Sequence, residues 1–578
     1  MLAFVQPALA TPCANATPII FVHGGAGSGA QFESQAMRFT SNGWPAECIF
    51  TFDYNSSMAG GPGTINPAFW SYVIPMLDDF INQILQTTGS EKVELIGHSL
   101  GGAVVFEFLN SSNPLYKPHR ATVIAHLVVL DSASALLTGT PAPQGIPTLA
   151  IWGWGDPSRN VSGAMNVYYP NLTHVEVATS PLTFVEMFRF FTGRDPITPY
   201  ILPEKEITIA GKVVYFPYNT VLTTGTLKIY EVDENGFRIG EPIATISITD
   251  GNFSFTGKPG VRYEFELTDY GCVTAMHVYR EPFLRSTYWM RILVSPPGGL
   301  ADYADRSENH TNILVLRYRE IVGQSDPNLD GIDTLKIDGT NVCTPSICPV
   351  AKRVNGVWIY DKDSDKLSNL TAPIQYYYLQ PFQTGVDFYI PASDPPSEAI
   401  NIAIESRGGG VQTLKVPNWK SSEHRVILQF NDYVQTYLLD SDAEILVPYY
   451  AEPFAVNISS MPKFEELSGT DWIKVDLPEP CKTGNGNQSF IMVKKGSGAN
   501  ASKLLFYLEG GGACVDFLTC RPLPEGTVVK LDLNFTELVA AYNMGIFNFS
   551  NPLNPFRDWT VVFVPFSTGD FPSWQQSR

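Results

Sequence analysis

Between Thr17 and Gly193 short apolar runs (PIIFV, FTFDY, VELIG, HLVVLD, PTLAIWG) alternate with Gly-rich turns and amphipathic stretches, the longest from Phe69 to Gln86. Runs of this length separated by helical patterns predict an α/β unit built on a mostly parallel sheet. Beyond Pro196 the period changes to two, in ITIAGKVVYF, TLKIYEV and YEFEL, with turns at Asn235-Gly236 and Asp250-Gly251. That alternation predicts antiparallel β-rich domains. The pattern divides the chain into an N-terminal tail (1–16), an α/β domain (17–196), a β-sandwich-like domain (197–282), a second β-rich domain (283–440), a linker (441–470) and a strand-rich last segment (471–578). The last segment has room for only two or three strands of an α/β unit and is expected to be a fragment without a complete core.

One motif carries chemistry. Gly97-His98-Ser99-Leu100-Gly101 follows the apolar strand Val93 to Ile96 and precedes a helical run through Leu109. A G-x-S-x-G match alone is common by chance, but strand, turn and helix together are the context of a nucleophile elbow. A serine hydroxyl is a weak nucleophile until an imidazole takes its proton, and the expected chain order is Ser, acid, His. His174, in the loop before PLTFVEMFRFF, fits that order. His119 and His126 come too early, and His277, His310 and His424 lie in the β stretches, where a solvent-facing or core role is the better reading. Two acids follow strands: Asp131 ends HLVVLD, and Asp156 stands in WGWGDP. Parallel strands bring both to the edge that carries Ser99; spacing slightly favours Asp156, and each also has the simpler reading of a helix cap. An acyl-transfer oxyanion needs two backbone donors, here Leu100 and, from the loop His23 to Ala26, Gly25. GGAGSGA lacks both the P-loop lysine and the dinucleotide-binding glycine order.

Composition narrows the classes further. Of 578 residues, 44% are hydrophobic and 16% charged, as in folded soluble proteins, and the net charge of −19 with no basic run argues against nucleic acid as a partner. No stretch approaches the roughly 18 to 20 apolar residues of a membrane span. The opening MLAFVQPALA ends in a small-residue pattern resembling the tail of a signal peptide, which suggests secretion. The eight cysteines lack zinc-ligand spacing; the close pairs Cys343/Cys348 and Cys514/Cys520 read as short disulfides. The expected reaction needs no metal and no organic cofactor, its partner is a lipid or other ester, and the oligomeric state stays open.

The segments HGGAGSGAQFESQAMRF, VELIGHSLG, AHLVVLD, THVEVATSP, NVCTPSICP and RVNGVWIYD resemble the archaeal, Archaeoglobus-type long-chain lipase/carboxylesterase family, over about residues 19 to 439. The resemblance implies a hydrolase domain with a C-terminal β domain that helps shape the substrate-binding region. It implies Ser99 as nucleophile, His174 as base, Gly25 and Leu100 as oxyanion donors, and Asp131 as acid with Asp156 as rival. Where that family has a long helical lid, this chain has the shorter NSSMAGGPGTINPAFW, so a more open site for short-chain esters or polyesters is a second expectation. A surface-binding protein whose β units dominate over a vestigial site, and an amidase or C–C hydrolase, are the other readings. From about Asp471, YLEGGGACVDFLTC and SNPLNPFRDW resemble the start of a pectin-acetylesterase/Notum-type hydrolase whose own elbow would lie beyond Arg578, so that Glu509 to Gly512 would form an oxyanion loop without a nucleophile.

Overall fold

A computed structural model of the chain describes residues 13, 16–60, 65–132, 139–153, 158–323, 333–407 and 410–432, and in the last part 464–467, 472–476, 490–508, 547, 549–550, 552 and 554–564. The tail 1–12, Asp156, Cys514, Cys520 and Glu509 to Gly512 lie outside the described residues. The chain divides into two units, Met1–Arg407 with Val411–Tyr449, and Gly408–Gly410 with Tyr450–Arg578.

In the first unit β1 (Ile19–Val22), β2 (Ile49–Phe52), β3 (Val93–His98), β4 (Ile124–Leu130), β5 (Thr148–Trp152) and β6 (Met165–Tyr168) form one sheet in the order β2-β1-β3-β4-β5-β6. Every pairing is parallel. The covering helices are α1 (Glu33–Ser41), α2 (Pro67–Thr88), α3 (Leu100–Leu109) and α4 (Pro181–Thr192). Parallel sheets are roofed on both faces, so their strands are apolar at consecutive positions and divide their side chains between two layers. Ile20 and Val22 of β1 pack with Phe69, Val73 and Leu77 of α2 and Val104 of α3. Ile19 and Phe21 point the other way, to Phe39 of α1 and Phe184 of α4.

The helix ends are written in the sequence. Asn66 accepts from the Ala68 amide ahead of Pro67, and Ser180 from the Leu182 amide ahead of Pro181. Gly89 and Gly193 end α2 and α4 in the left-handed conformation. After β1 the chain moves outward to β2 and then returns to the other side of β1 as β3. The loops leaving the carboxyl ends of β1 and β3 therefore meet at the reversal of strand order, where open α/β sheets hold their sites.

The β-rich part is mostly antiparallel, with parallel pairings both between the two β stretches and within the second. Ile207–Tyr215 pairs with Asn252–Gly257 in antiparallel and with Thr287–Val294 in parallel fashion. A boundary at residue 282 would have assigned Thr287–Val294 to the second β unit; its pairing belongs to the first. An eight-stranded sheet is shared by both stretches, because His424–Gln429 lies between Ala275–Arg280 and Ile313–Leu316, parallel to each.

The β stretches are fastened to the α/β layer. Trp289 joins the apolar layer of β1 and α1, and its indole donates to the Ile49 carbonyl at 3.1 Å. Arg280 holds Glu33 through two nitrogens at 2.8 and 3.2 Å, and Arg291 meets Asp53 at 2.7 Å. The Asp53 carboxyl would be raised by burial, but the charges of Arg291 and Lys212 hold it down at about 2.

Cys343 and Cys348 form the expected short disulfide; a second joins Cys13 to Cys48, which sequence spacing gave no reason to pair. Among the described residues no helix is long and apolar enough to cross a membrane, and no group of three or more His, Cys, Asp and Glu is placed to hold a metal ion. The second unit contributes the strands Ile473–Asp476, Phe490–Lys494, Leu504–Leu508 and Thr560–Val564, and a small apolar cluster of Met492, Phe547, Val561 and Phe563.

Candidate active site

Ser99 sits at the turn from β3 into α3 with φ 53° and ψ −118°, a strained conformation for a residue with a side chain. The turn closes only because its flanks are glycine. A Cβ on Gly97 would lie 2.5 Å from the Gly101 carbonyl oxygen, and one on Gly101 would lie 2.2 Å from that of Val22. Ser132 supports the turn from β4 by donating its hydroxyl to the Ser99 carbonyl at 2.7 Å.

The structure brings three of the sequence-derived residues into line. His174 Nε2 is 2.9 Å from Ser99 Oγ, and His174 Nδ1 is 2.6 Å from Asp131 Oδ2. The other oxygen of Asp131 accepts from the Gly153 amide and from Arg159, each at 2.9 Å. Burial alone would raise this carboxyl, but the hydrogen bond and charge of His174, followed by Arg159, outweigh it and hold the group at about 2. Asp131 is therefore ionised wherever the imidazole is of use as a base. Its φ of 38° adds a second strained residue to the site. Asp156, the rival acid, lies outside the described residues, so no distance sets it against Asp131.

The loop after β1 runs directly past the elbow, since a Cβ on Gly24 would come within 3.0 Å of Ser99 Cβ. The amides around Gly25 are occupied: Gly24 donates to Gln31, Ala26 to Ser56, Gly27 to the Gly24 carbonyl and Gly29 to Asp53. The Gly25 amide has no acceptor among the described residues. Leu100, first residue of α3, has an amide that the helix itself leaves unsatisfied. Two backbone donors are thus available beside Ser99, and the positive end of the α3 dipole adds to them.

Residues that the motif does not reveal hold these loops together. His98, the variable position of the elbow motif, is fully enclosed; its Nε2–H donates to the His174 carbonyl at 2.8 Å and its Nδ1 accepts from Gln31 at 2.8 Å. Gln31 in turn accepts from Gly24 at 3.3 Å, so one chain of hydrogen bonds links the loop after β1, the turn at Ser99 and the His174 loop. That chain needs a neutral ring, and burial, then the neighbouring His174, push the His98 pKa down to about 3. His23 stacks on Tyr54 at 4.2 Å, and its Nε2 accepts from Asn219 of the first β stretch. The latter contact is at 3.2 Å, while Asn219 also donates to the Gly27 and Tyr54 carbonyls.

The remaining histidines do other work. His277 is buried against Glu264 and stacked on Trp419, His310 faces Asp361, and His126 pairs with Glu94. An apolar pocket of about 80 Å³ lined by Leu293, Leu314, Trp358 and Ile427 lies within the β-rich part, and none of Ser99, Asp131 or His174 borders it.

Comparison with known families agrees with this layout. The class 2 lipase model matches residues 16–109, which include the loop after β1 and the turn at Ser99; the lipase C-terminal domain model matches 205–297, and a further C-terminal domain model matches 299–434. Among solved structures, a predicted CIB-like hydrolase from Thermoplasma acidophilum is 14% identical, with 30% of this chain and 85% of that one covered and a TM-score of 0.22. Phospholipase PlaB from Legionella pneumophila is 10% identical over 48% of this chain and 94% of its own, with a TM-score of 0.22. An α/β hydrolase from a Moroccan lagoon-sediment metagenome is 15% identical over 30% and 90%, again at 0.22. Likenesses this distant carry no information on substrate. The lipase models support an ester hydrolase, and the parallel sheet of the first unit is that of an α/β fold.

Proposed function

We propose that the chain hydrolyses carboxylic esters of acylglycerol or similar acyl type through Ser99 as nucleophile, His174 as general base and acid, and Asp131 as the acid that orients and stabilises the imidazole. The observation that carries this reading is the unbroken line Ser99 Oγ, His174 Nε2, His174 Nδ1, Asp131 Oδ2, at 2.9 and 2.6 Å. His174 takes the hydroxyl proton as Ser99 attacks the ester carbonyl, the oxyanion is received by the Gly25 and Leu100 amides, and His174 returns the proton to the leaving alcohol. Water then follows the same route to release the acid. No metal or organic cofactor enters this sequence.

The lipase models and the resemblance to long-chain archaeal lipases support acylglycerols as the substrate class. The shortness of the stretch between Asp53 and α2 supports the second reading, a more open site for shorter esters or polyesters. The described disulfides fit an oxidising, secreted setting.

A p-nitrophenyl ester series from C2 to C18 tests the reading. Wild type is expected to hydrolyse it and Ser99→Ala to fall to background while staying folded. Wild-type turnover in Ser99→Ala would overturn the assignment, and the chain-length optimum separates a lipase from a short-chain esterase.

A further inference from the structure

The His174 loop is held from outside its own domain. The peptide unit between His174 and Val175 is bound at both ends: its carbonyl accepts from His98 at 2.8 Å, and its N–H donates at 2.9 Å to Glu320 Oε1. Glu320 lies beyond the strand Ile313–Leu316, in the stretch matched by the second C-terminal domain model, and is fully buried. Its second oxygen has no hydrogen-bond partner and faces Arg407 at 3.8 Å.

Arg407 follows the strand Ala399–Glu405. It donates to Thr173 Oγ1 and to the Glu320 carbonyl, each at 2.8 Å, and meets Asp333 at 3.1 Å. Arg319 pairs with Glu176 at 2.8 Å, while Glu176 also accepts from the Thr173 amide at 3.2 Å. Burial would raise the Glu176 carboxyl, but Arg319 and then Arg407 hold it at about 2, so Glu176 stays charged at any working pH. Backbone comes close as well: a Cβ on Gly323 would lie 2.3 Å from Thr173 Cγ2.

A surface loop would have water as its partner. This one has a buried carboxylate and two arginines from another domain, converging on the residues either side of the base.

We infer that Glu320, with Arg407 and Arg319, is a positioning residue for the reaction: it fixes the His174–Val175 peptide so that the imidazole stays in line between Ser99 and Asp131. This rests on the proposed role of His174. Such a bracket acts on the chemical step and not on substrate affinity, since a small misplacement of a catalytic group costs rate even when binding is intact.

The test compares Glu320→Ala, Glu320→Gln and Ser99→Ala in the full chain, by kcat and KM on one p-nitrophenyl ester and by thermal unfolding. Glu320→Ala is expected to lower kcat about ten- to a hundredfold with KM within twofold, at temperatures where it is folded. Glu320→Gln keeps an acceptor for the Val175 amide and is expected to recover most of that loss. If Glu320→Ala does not fold, Thr173→Val decides, since at nearly equal size it removes the hydroxyl that accepts from Arg407 and donates to Glu176, both parts of the bracket; a kcat lower by severalfold is expected.

A kcat within twofold of wild type in folded Glu320→Ala, or in Thr173→Val when that variant has to decide, overturns the inference. Activity in Ser99→Ala would overturn the proposed function instead, so the two failures are distinguishable.

Discussion

The elbow around Ser99 and the loop around His174 present the two halves of one site and are built in opposite ways. The elbow is local: a strand, a strained turn and a helix within Val93–Leu109, closed by Gly97 and Gly101 against backbone that is already there. The base loop has little internal structure beyond one helical turn at Glu176–Thr179, and borrows its rigidity from Glu320, Arg319 and Arg407, some 145 or more residues further on. A nucleophile can be specified by a short motif because its geometry is a turn type. A base has to be aimed at a point in space, and any part of the fold that reaches it can do the aiming.

The sharpest way to break the comparison is at the elbow itself. Gly101→Ala forces a side chain into the Val22 carbonyl, and is expected to cost about 3 kcal/mol of stability together with most of the activity, as read by denaturant unfolding and ester hydrolysis. Next in size is the acid. Asp131→Asn is expected to lower kcat about 10³- to 10⁴-fold, as loss of the orienting carboxylate does in such triads, with Asp156→Asn within threefold of wild type. The reverse pattern would move the acid to Asp156.

His98 lies between the two regions, and His98→Ala should cost about tenfold in kcat by freeing the His174 carbonyl, with little change in KM. No change in kcat would show that the elbow and the base loop are independent.

The smallest effects concern pH. Asp131 and Glu176 have folded values of about 2, below their ordinary 3.8 and 4.5, so their contribution to stability is complete above about pH 4.5 and is lost as the pH falls toward 2. Glu281, behind the bracket, behaves the other way. Burial raises it to about 7 despite hydrogen bonds from Asn431 and Gln412. Its contribution is present below about pH 4.5 and is lost as the pH rises through 7. Glu281→Gln is therefore expected to raise the melting temperature at pH 8 by a few degrees and to leave it unchanged at pH 4; an equal shift at both would mean that its ionisation is not what matters.

What could be read from the sequence follows the same division. The apolar runs of β1 to β5 are legible because strands buried on both faces need them, and the helix ends because Asn66, Ser180, Gly89 and Gly193 are capping residues in their usual places. Ser99 and His174 are legible through motif and chain order. Spacing leaned toward Asp156 because it counts strands and cannot see which carboxylate meets the imidazole; the described structure has Asp131 there. The Cys13–Cys48 bridge, the sharing of one sheet by both β stretches and the role of His98 depend on contacts distant in sequence. Glu320 and Arg407 look like any charged residues beside a strand, and only the fold makes them neighbours of the base.

The most direct test of the whole account is the reaction of the intact chain with a fluorophosphonate, followed by peptide mass spectrometry. The account predicts a single adduct on Ser99, formed far more slowly in His174→Ala because the hydroxyl is no longer activated. An adduct on another residue, or ester hydrolysis undiminished in protein that takes up no label, would contradict it.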